Sequence, residues 1–229
     1  MFNVLYEYSS RRFNLMPFNT AQEKNLLLLP LLSSYDIDEA LRICLVPDDV
    51  INVITEDEKY AMLFKLRELS VGDDINLKFK CNHCGSSNEN TLSISNIIVQ
   101  PLITNPNIID NFKDLTEDNF QEFVNVDVNN LDIEEYDALF KETKESITTF
   151  NFNKMIICQH CGKQNLVKIN KPEFVIDNMS EDSLTSLYQS YNDLIFFGKY
   201  TKQDIDSLYP FERLILISLL NKTREDLNK

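Results

Sequence analysis

The stretch Cys81-Asn82-His83-Cys84-Gly85 returns later in the chain as Cys158-Gln159-His160-Cys161-Gly162. These two stretches, which we call knuckles, hold four of the five cysteines, both histidines and two of the four glycines. Two Cys-x-x-Cys pairs supply four thiolates at the spacing that a tetrahedral Zn²⁺ site requires, and the glycine after each pair permits a left-handed backbone. We therefore predict one structural zinc ion, bound by Cys81, Cys84, Cys158 and Cys161. A disulfide pair or a redox dithiol is the alternative, and the two symmetric copies disfavour it.

Strands are predicted on both sides of each knuckle. Residues 75–80 alternate apolar and polar side chains, residues 91–99 form the returning strand, and residues 155–157 and 166–169 repeat the arrangement around the second knuckle. This layout is typical of a zinc ribbon. However, 73 residues separate Cys84 from Cys158, whereas a compact ribbon has roughly 15–20. Residues 118–124 and 133–146 of this insertion are predicted to be helical, with Ile133, Tyr136, Leu139 and Phe140 as an apolar stripe.

The remainder of the chain is predicted to be helical, apart from an N-terminal β-hairpin at residues 2–8 and 11–16. Predicted helices cover residues 20–32, with Asn19 or Thr20 as the cap and Glu23 as its partner, then 37–45 after Asp36, and a third after the capping box of Thr55 and Glu58. Further helices are predicted at 180–197, capped by Ser180 with Glu181 and Asp182 near its positive end, at 201–208 and at 211–227.

The fold class is therefore predicted as α+β, with helical N- and C-terminal parts around a four-cysteine zinc ribbon that carries a long, partly helical insertion. The predicted parts are 1–74 (hairpin and helices), 75–171 (ribbon with an acidic insertion at about 100–152) and 172–229 (helices). The last helix has four consecutive apolar residues at 214–217, so we expect burial on more than one side, by the core or by a partner. Cys44 is interpreted as a small core residue.

The charge of the chain argues against nucleic acid as a partner. The formal net charge is −14, which repels a phosphate backbone. Residues 101–150 alone carry −9, from three lysines and the following acids: Asp110, Asp114, Glu117, Asp118, Glu122, Asp127, Asp132, Glu134, Glu135, Asp137, Glu142 and Glu145. We recognise no signal peptide and no membrane span, and thiolate ligands suit a reducing cytoplasm.

No catalytic site can be assembled from the sequence. Both histidines lie between predicted zinc ligands, and four cysteines fill a zinc shell without leaving a position for water. A glycine-rich phosphate loop is absent from the sequence. We therefore expect neither enzymatic activity nor a small-molecule substrate.

Three stretches resemble a phage family, and they occur in the same order as in that family. They are LMPFNTAQEK at 15–24, EKYAMLFKLRELSVG at 58–72 and YPFER at 209–213. With the first CxxCG, they are similar to the baseplate hub subunits and hub assembly proteins of T-even-type bacteriophages with contractile tails. The resemblance implies a non-enzymatic role through contacts with other baseplate and tail proteins, in the host cytoplasm during assembly. It leaves two alternatives open, a protein that stays in the virion tail baseplate and an assembly chaperone that leaves. Lys65, Arg67, Glu212 and Arg213 match charged positions of the family, either as contacts or as ordinary solvated residues.

A zinc-ribbon transcription regulator, bound to nucleic acid or RNA polymerase, is the alternative function. Its support is a mild positive patch, formed by Lys78, Lys80, Lys163, Lys168 and Lys171. A zinc-dependent enzyme is a third hypothesis, and it requires an open coordination position.

Overall fold

A computed structural model of the chain describes residues 4–8, 11–32, 35–52, 54–99, 105, 107–108, 115–146, 149–150 and 152–227. The described residues form two compact units. Unit 1 comprises those within Met16–Ile94 and Phe152–Lys229, and unit 2 comprises those within Val4–Leu15 and Ser95–Asn151. The α+β class is confirmed, since both helices and antiparallel hairpins are present. The predicted division at 74/75 and 171/172 stays a prediction.

The helices of unit 1 pack around α1 (Thr20–Leu32), which contacts α2, α6, α7, α8 and α9. The other helices of this unit have the following bounds: α2 Ile37–Ile43, α3 Asp48–Ile51, α4 Glu56–Ser70, α6 Pro172–Asp177, α7 Leu184–Phe196, α8 Lys202–Ser207 and α9 Pro210–Leu227. Buried apolar residues of α1 (Leu26, Leu29) and α4 (Leu63, Leu66) belong to the core of unit 1. Cys44 is buried as well, and burial raises the pKa of its thiol.

Capping explains where most of these helices begin. The predicted box at α4 is present, with the Thr55 and Glu58 side chains each accepting the other residue's N–H, and Asp36 caps α2. At α1 the predicted partner was wrong. Asn19 N–H donates to Gln22 Oε1 at 2.8 Å and Gln22 N–H returns to Asn19 Oδ1 at 3.0 Å, while Glu23 is buried in the core.

Two predicted helix boundaries and the predicted burial of the last helix differ from the structure. The helix predicted at 37–45 ends at Ile43, because the backbone of Leu45 is left-handed with φ 62°. The helix predicted from Ser180 begins at Leu184, because Ser183 caps it by accepting the N–H of Ser186. The core does not cover the last helix on several sides within the described structure, since Ile215 and Leu219 are 55% and 57% exposed, and cover by a partner stays a prediction.

The cysteine-bearing hairpins of unit 1 are β3–β4 and β7–β8. Strands β3 (Asp74–Lys80) and β4 (Ser87–Ser93) pair antiparallel over seven residues, from Asp74 opposite Ser93 to Lys80 opposite Ser87. The returning strand therefore begins directly after the first knuckle, not at residue 91 as predicted; the polar run Ser87–Asn90 concealed it. Strands β7 (Asn153–Ile157) and β8 (Gln164–Lys168) pair in the same way around the second knuckle.

Unit 2 contains the predicted N-terminal hairpin, β1 (Val4–Tyr8) and β2 (Arg11–Leu15), and the pair β5 (Ile98–Val99) and β6 (Thr149–Phe150). The predicted hairpin turn and the acids Asp110 and Asp114 lie outside the described residues. The predicted helix at 118–124 is a 3-10 helix, Glu117–Phe123, and α5 spans Ile133–Ser146 as predicted. The core of this unit contains Ile108, Phe120, Phe123 and Val124. Tyr136, Leu139 and Phe140 pack on it, but Ile133 is 81% exposed and does not belong to the stripe.

Candidate metal centre

The structure brings the four predicted cysteines together at the ends of two hairpins. Their sulfur atoms all lie within 4.8 Å of one another. Cys81 Sγ is 3.6 Å from Cys161 Sγ, and Cys84 Sγ is 3.7 Å from Cys158 Sγ, and both contacts join one knuckle to the other. Cys81 and Cys158 are buried, whereas Cys84 and Cys161 are exposed. Four thiols gathered in this way can hold a metal ion.

Each knuckle is a tight turn with the same internal hydrogen bonds. Gly85 N–H donates to the Cys81 carbonyl and Gly162 N–H to the Cys158 carbonyl, both at 2.9 Å. The two glycines have φ 72° and 70°, the left-handed conformation that a side chain disfavours. One further amide in each knuckle, that of His83 or His160, points at the sulfur of the first cysteine at 3.4 Å. This repetition explains why a glycine follows each Cys-x-x-Cys pair.

Two buried asparagines connect the knuckles, and the sequence analysis missed both. Asn88 Oδ1 accepts the Gln159 N–H, and Asn165 Oδ1 accepts the Asn82 N–H, each at 2.9 Å. Each asparagine therefore fixes the backbone of the opposite knuckle, at the residue that follows its first cysteine. The sequence does mark both asparagines, because the repeated pattern extends to Cys-x-His-Cys-Gly-x-x-Asn in both copies.

Polar groups around Cys81 favour its thiolate. Burial acts to raise the pKa of Cys81, but the N–H groups of His83 and Cys84 and the Asn165 amide outweigh it, and the pKa falls to about 6. The Asn165 amide nitrogen lies 3.5 Å from Cys81 Sγ. Both histidines are exposed, and His83 Nε2 lies 3.2 Å from the Gln164 carbonyl oxygen. The site thus offers sulfur ligands in a polar setting with N–H donors aimed at them.

Arg213, named above as a contact or a solvated residue, is neither. Its side chain is 1% exposed, and Nη2 lies 2.9 Å from Glu23 Oε2 and 2.9 Å from Asp182 Oδ2. Burial raises the pKa of Glu23, the Arg213 charge opposes that rise, and Ser180 Oγ donates to Glu23 Oε1 at 2.6 Å. These four residues join α1, α9 and the segment that precedes α7. Ser180 and Asp182, which were predicted to favour the start of a helix, therefore contact the buried ion pair instead.

The other three charged positions are also occupied within the chain. Arg67 is buried, donates from Nε to the Asn178 carbonyl at 3.0 Å, and has Nη2 3.5 Å from Glu181 Oε1. Lys65 pairs with Glu68 at 2.9 Å, and Glu212 accepts the Tyr209 N–H at 2.9 Å. In addition, Phe18 N–H donates to Ser70 Oγ. The stretch at 15–24 therefore contacts the stretch at 58–72 through Phe18 and Ser70, and the stretch at 209–213 through Glu23 and Arg213.

Residues 1–113 match the family model described as T4 bacteriophage base plate protein. The match covers just under half of the chain and supports a structural role in the phage tail. More particularly, it supports a T4-type baseplate protein, and the matched residues include the first knuckle but not the second. No curated protein and no solved structure matches the chain. In the described part of the chain, no helix has the length and apolar character needed to cross a membrane.

Proposed function

We propose that this protein is a non-enzymatic component or assembly factor of the central hub of the phage baseplate, and that it acts through contacts with other tail proteins. The match of residues 1–113 to the baseplate family carries this proposal. The described residues add support, because Arg67 and Arg213 of the family stretches are buried and join distant segments of unit 1. A structural protein of the baseplate acts through its surface. The buried contacts of Arg67 and Arg213 fix the positions of the helices that form this surface in unit 1.

The proposal includes one structural Zn²⁺ held by Cys81, Cys84, Cys158 and Cys161. Sulfurs placed about 2.3 Å from a central zinc ion form a tetrahedron with edges of about 3.8 Å. The sulfur–sulfur distances of 3.6 Å and 3.7 Å between the knuckles fit that edge length, and all four sulfurs lie within 4.8 Å of one another. Thiolates are the ligands that zinc prefers in closed structural sites, and four of them leave no position for a reacting water. When bound, the ion would join β3–β4 to β7–β8.

The partners follow from the same family. We propose other baseplate and tail proteins as partners, the host cytoplasm as the place of assembly, and the tail baseplate as the place in the virion. A net charge of −14 disfavours nucleic acid over most of the surface. We propose no small-molecule substrate.

Affinity purification of the tagged chain from infected cells, followed by mass spectrometry, tests this function. We expect hub and other baseplate proteins in stoichiometric amounts. Comparison of mature virions with assembly intermediates then separates a permanent component from an assembly factor. Recovery of the chain without any tail protein would refute the proposal.

A lysine-rich second hairpin favours one alternative, a zinc-ribbon regulator that binds nucleic acid or RNA polymerase. Residues 153–171 contain four lysines and no acidic residue. Salt-dependent binding of the purified chain to duplex DNA in a mobility-shift assay would support the nucleic-acid form of this alternative. Recovery of RNA polymerase in the purification would support the other form.

A further inference from the structure

The outer face of the β7–β8 hairpin exposes three large apolar side chains. Met155, Ile157 and Leu166 are 60%, 59% and 59% exposed. Met155 lies directly opposite Leu166, and Ile157 lies opposite Gln164, so the three side chains share one face of the sheet. The opposite face carries the buried Ile156 and Asn165. The apolar character of the outer face is therefore not required by the core beneath the hairpin.

The first hairpin supplies an internal comparison for this face. Counting from the first cysteine of each knuckle, Met155, Ile157 and Leu166 occupy the positions of Lys78, Lys80 and Glu89. At those positions the first hairpin has a cross-strand ion pair, with Lys78 Nζ 3.2 Å from Glu89 Oε1. Both hairpins keep the same strand pairing and the same knuckle hydrogen bonds.

Charged residues thus satisfy the fold at these three positions in one hairpin, and apolar residues replace them in the other. An exposed cluster of large apolar side chains costs solubility and exposes a protein to non-specific association. Because the fold does not need the cluster, its presence points to a surface that another molecule covers.

Charge indicates what kind of molecule fits this face. Residues 153–171 include Lys154, Lys163, Lys168 and Lys171 without any Asp or Glu, in a chain of net charge −14. Lys168 lies opposite Asn153, on the same face as the apolar cluster. The corresponding segment of the first hairpin, 76–94, has two lysines and one acid. Lys154 shares the face of Ile156, so the outer face combines an aliphatic centre with the positive charge of Lys168 at one end.

This combination favours a protein partner over a nucleic acid. Proteins that bind single strands stack the bases on aromatic side chains, and binding to duplexes depends on polar contacts with phosphates, which large aliphatic side chains do not make. The segment 153–171 contains no Phe, Tyr, Trp or Arg. Aliphatic side chains with a lysine at one end instead complement an apolar protein surface that is edged by carboxylates.

We propose that the outer face of β7–β8 is the docking surface for another baseplate protein, whose contacting segment is apolar with acidic residues at its edge. Apolar side chains of that segment cover Met155, Ile157 and Leu166, and a carboxylate pairs with Lys168. This inference rests on the proposed function for the identity of the partner as a tail protein. The existence of a docking surface rests on the difference between the two hairpins, apolar in the second and charged in the first.

Site-specific photo-crosslinking in infected cells tests the surface. The full chain carries p-benzoylphenylalanine in place of Met155, and the matched control carries it in place of Lys78, the equivalent position of the first hairpin. We expect position 155 to crosslink to a tail protein, within a peptide that has Asp or Glu close to apolar residues, and at least ten-fold less product from position 78. The proposal is overturned by equal products from both positions, by crosslinks to nucleic acid or to a second copy of the chain, or by no product from position 155.

A second experiment replaces the apolar residues of the β7–β8 outer face with the residue types of the first hairpin. The triple variant Met155→Lys, Ile157→Lys, Leu166→Glu installs the residue types of the first hairpin, so it should keep the fold and the metal content. We expect its affinity for the crosslinked tail protein to fall at least ten-fold, and the affinity of the unaltered chain to weaken as salt rises. Ile133→Lys, at an exposed apolar position elsewhere, should bind as the unaltered chain does. Undiminished binding of a folded triple variant would reject the surface.

The two proposals fail in different ways. If tail proteins co-purify with the chain but position 155 gives no crosslink, the docking surface is wrong and the proposed function stands. If no tail protein co-purifies, the proposed function is wrong.

Discussion

Arg213 and Glu23 form a buried ion pair whose geometry leaves part of the guanidinium without a partner. Nη2 makes the contacts with Glu23 and Asp182, while Nε and Nη1 are buried and have no hydrogen-bond partner among the described residues. Removing a charge from water costs several kcal/mol, so such a pair gives little net stability but is costly to break. The pair links α1 to α9 inside unit 1.

Replacing Arg213 alone should therefore be severely destabilising. In Arg213→Met, Glu23 keeps its burial and loses its counter-charge, and we expect the free energy of unfolding to fall by about 3–5 kcal/mol. Urea denaturation followed by far-UV circular dichroism measures this change. The double variant Glu23→Gln, Arg213→Met should recover a large part of the loss. Arg224→Ala is the control, since Arg224 is half exposed and lies 3.8 Å from Asp193, and it should cost about 1 kcal/mol or less. A loss in Arg213→Met no larger than this control would contradict the interpretation.

The asparagines that cross between the knuckles should control metal affinity. Asn165→Ala removes the acceptor of the Asn82 N–H and the amide near Cys81 Sγ. Groups that orient metal ligands are worth roughly 10–100-fold in affinity, so we expect a decrease of that size in zinc affinity, and a similar one in Asn88→Ala. Competition with a chromophoric chelator gives the measurement. Asn76→Ala, on the exposed face of β3, should keep the original affinity, and equal affinities in all three variants would show that the bridges do not matter.

These residues illustrate what the sequence could and could not predict. The four cysteines were predictable because scarce residues recur at a fixed spacing, and the asparagines could have been found by extending the same repeat to eight residues. Arg213 and Arg67 gave no such signal. An arginine on a helix is usually solvated, and the burial of Arg213 depends on Glu23, 190 residues away in the chain.

Among the elements, α5 and the 3-10 helix Glu117–Phe123 hold unit 2 together through aromatic rings. Phe120 is buried and lies edge-on to Tyr136 and Phe140, with ring centroids 5.1 Å and 5.0 Å away. Ile133 was assigned to the same stripe from its spacing, yet it is exposed, because it is the first residue of α5. Helical periodicity predicted the face correctly and failed at the helix end.

Truncation of Phe120 should therefore destabilise unit 2 strongly. We expect Phe120→Ala to cost about 3–5 kcal/mol, since a large ring is removed from a closely packed cluster. Hydrogen exchange of the α5 amides is the appropriate measurement, and their protection should fall accordingly. Ile133→Ala, the matched control on the same helix, should change it by less than about 0.5 kcal/mol. Similar effects of the two substitutions would mean that Phe120 is not the centre of the cluster.

At the scale of the whole molecule, each cysteine hairpin has two strands, and within the described residues neither pairs with a third. An isolated two-stranded hairpin is marginally stable at best in water. The register of both hairpins therefore depends on the contacts between the knuckles and, in our proposal, on the metal.

Removal of the metal tests this dependence. We expect one zinc ion per chain by elemental analysis, and on treatment with a strong chelator we expect the amides of β3, β4, β7 and β8 to lose hydrogen-exchange protection. Structural zinc sites contribute on the order of 10 kcal/mol to folding, so this loss should be large. The quadruple Cys→Ser variant should resemble the chelated protein, whereas Cys44→Ser should retain one zinc. Hairpin amides that stay protected without metal would exclude a structural role for the ion.

The reciprocal asparagine bonds also constrain the order of events when the chain is made on a ribosome. Asn88 Oδ1 cannot accept its hydrogen bond until Gln159 has been synthesised, and the Asn82 N–H cannot donate its own until Asn165 has been synthesised. Likewise, the Glu23 carboxylate acquires its guanidinium partner only when the last helix has emerged. The N-terminal part of unit 1 is therefore translated well before its partners exist, and unit 1 reaches its final structure only after α9 has been synthesised.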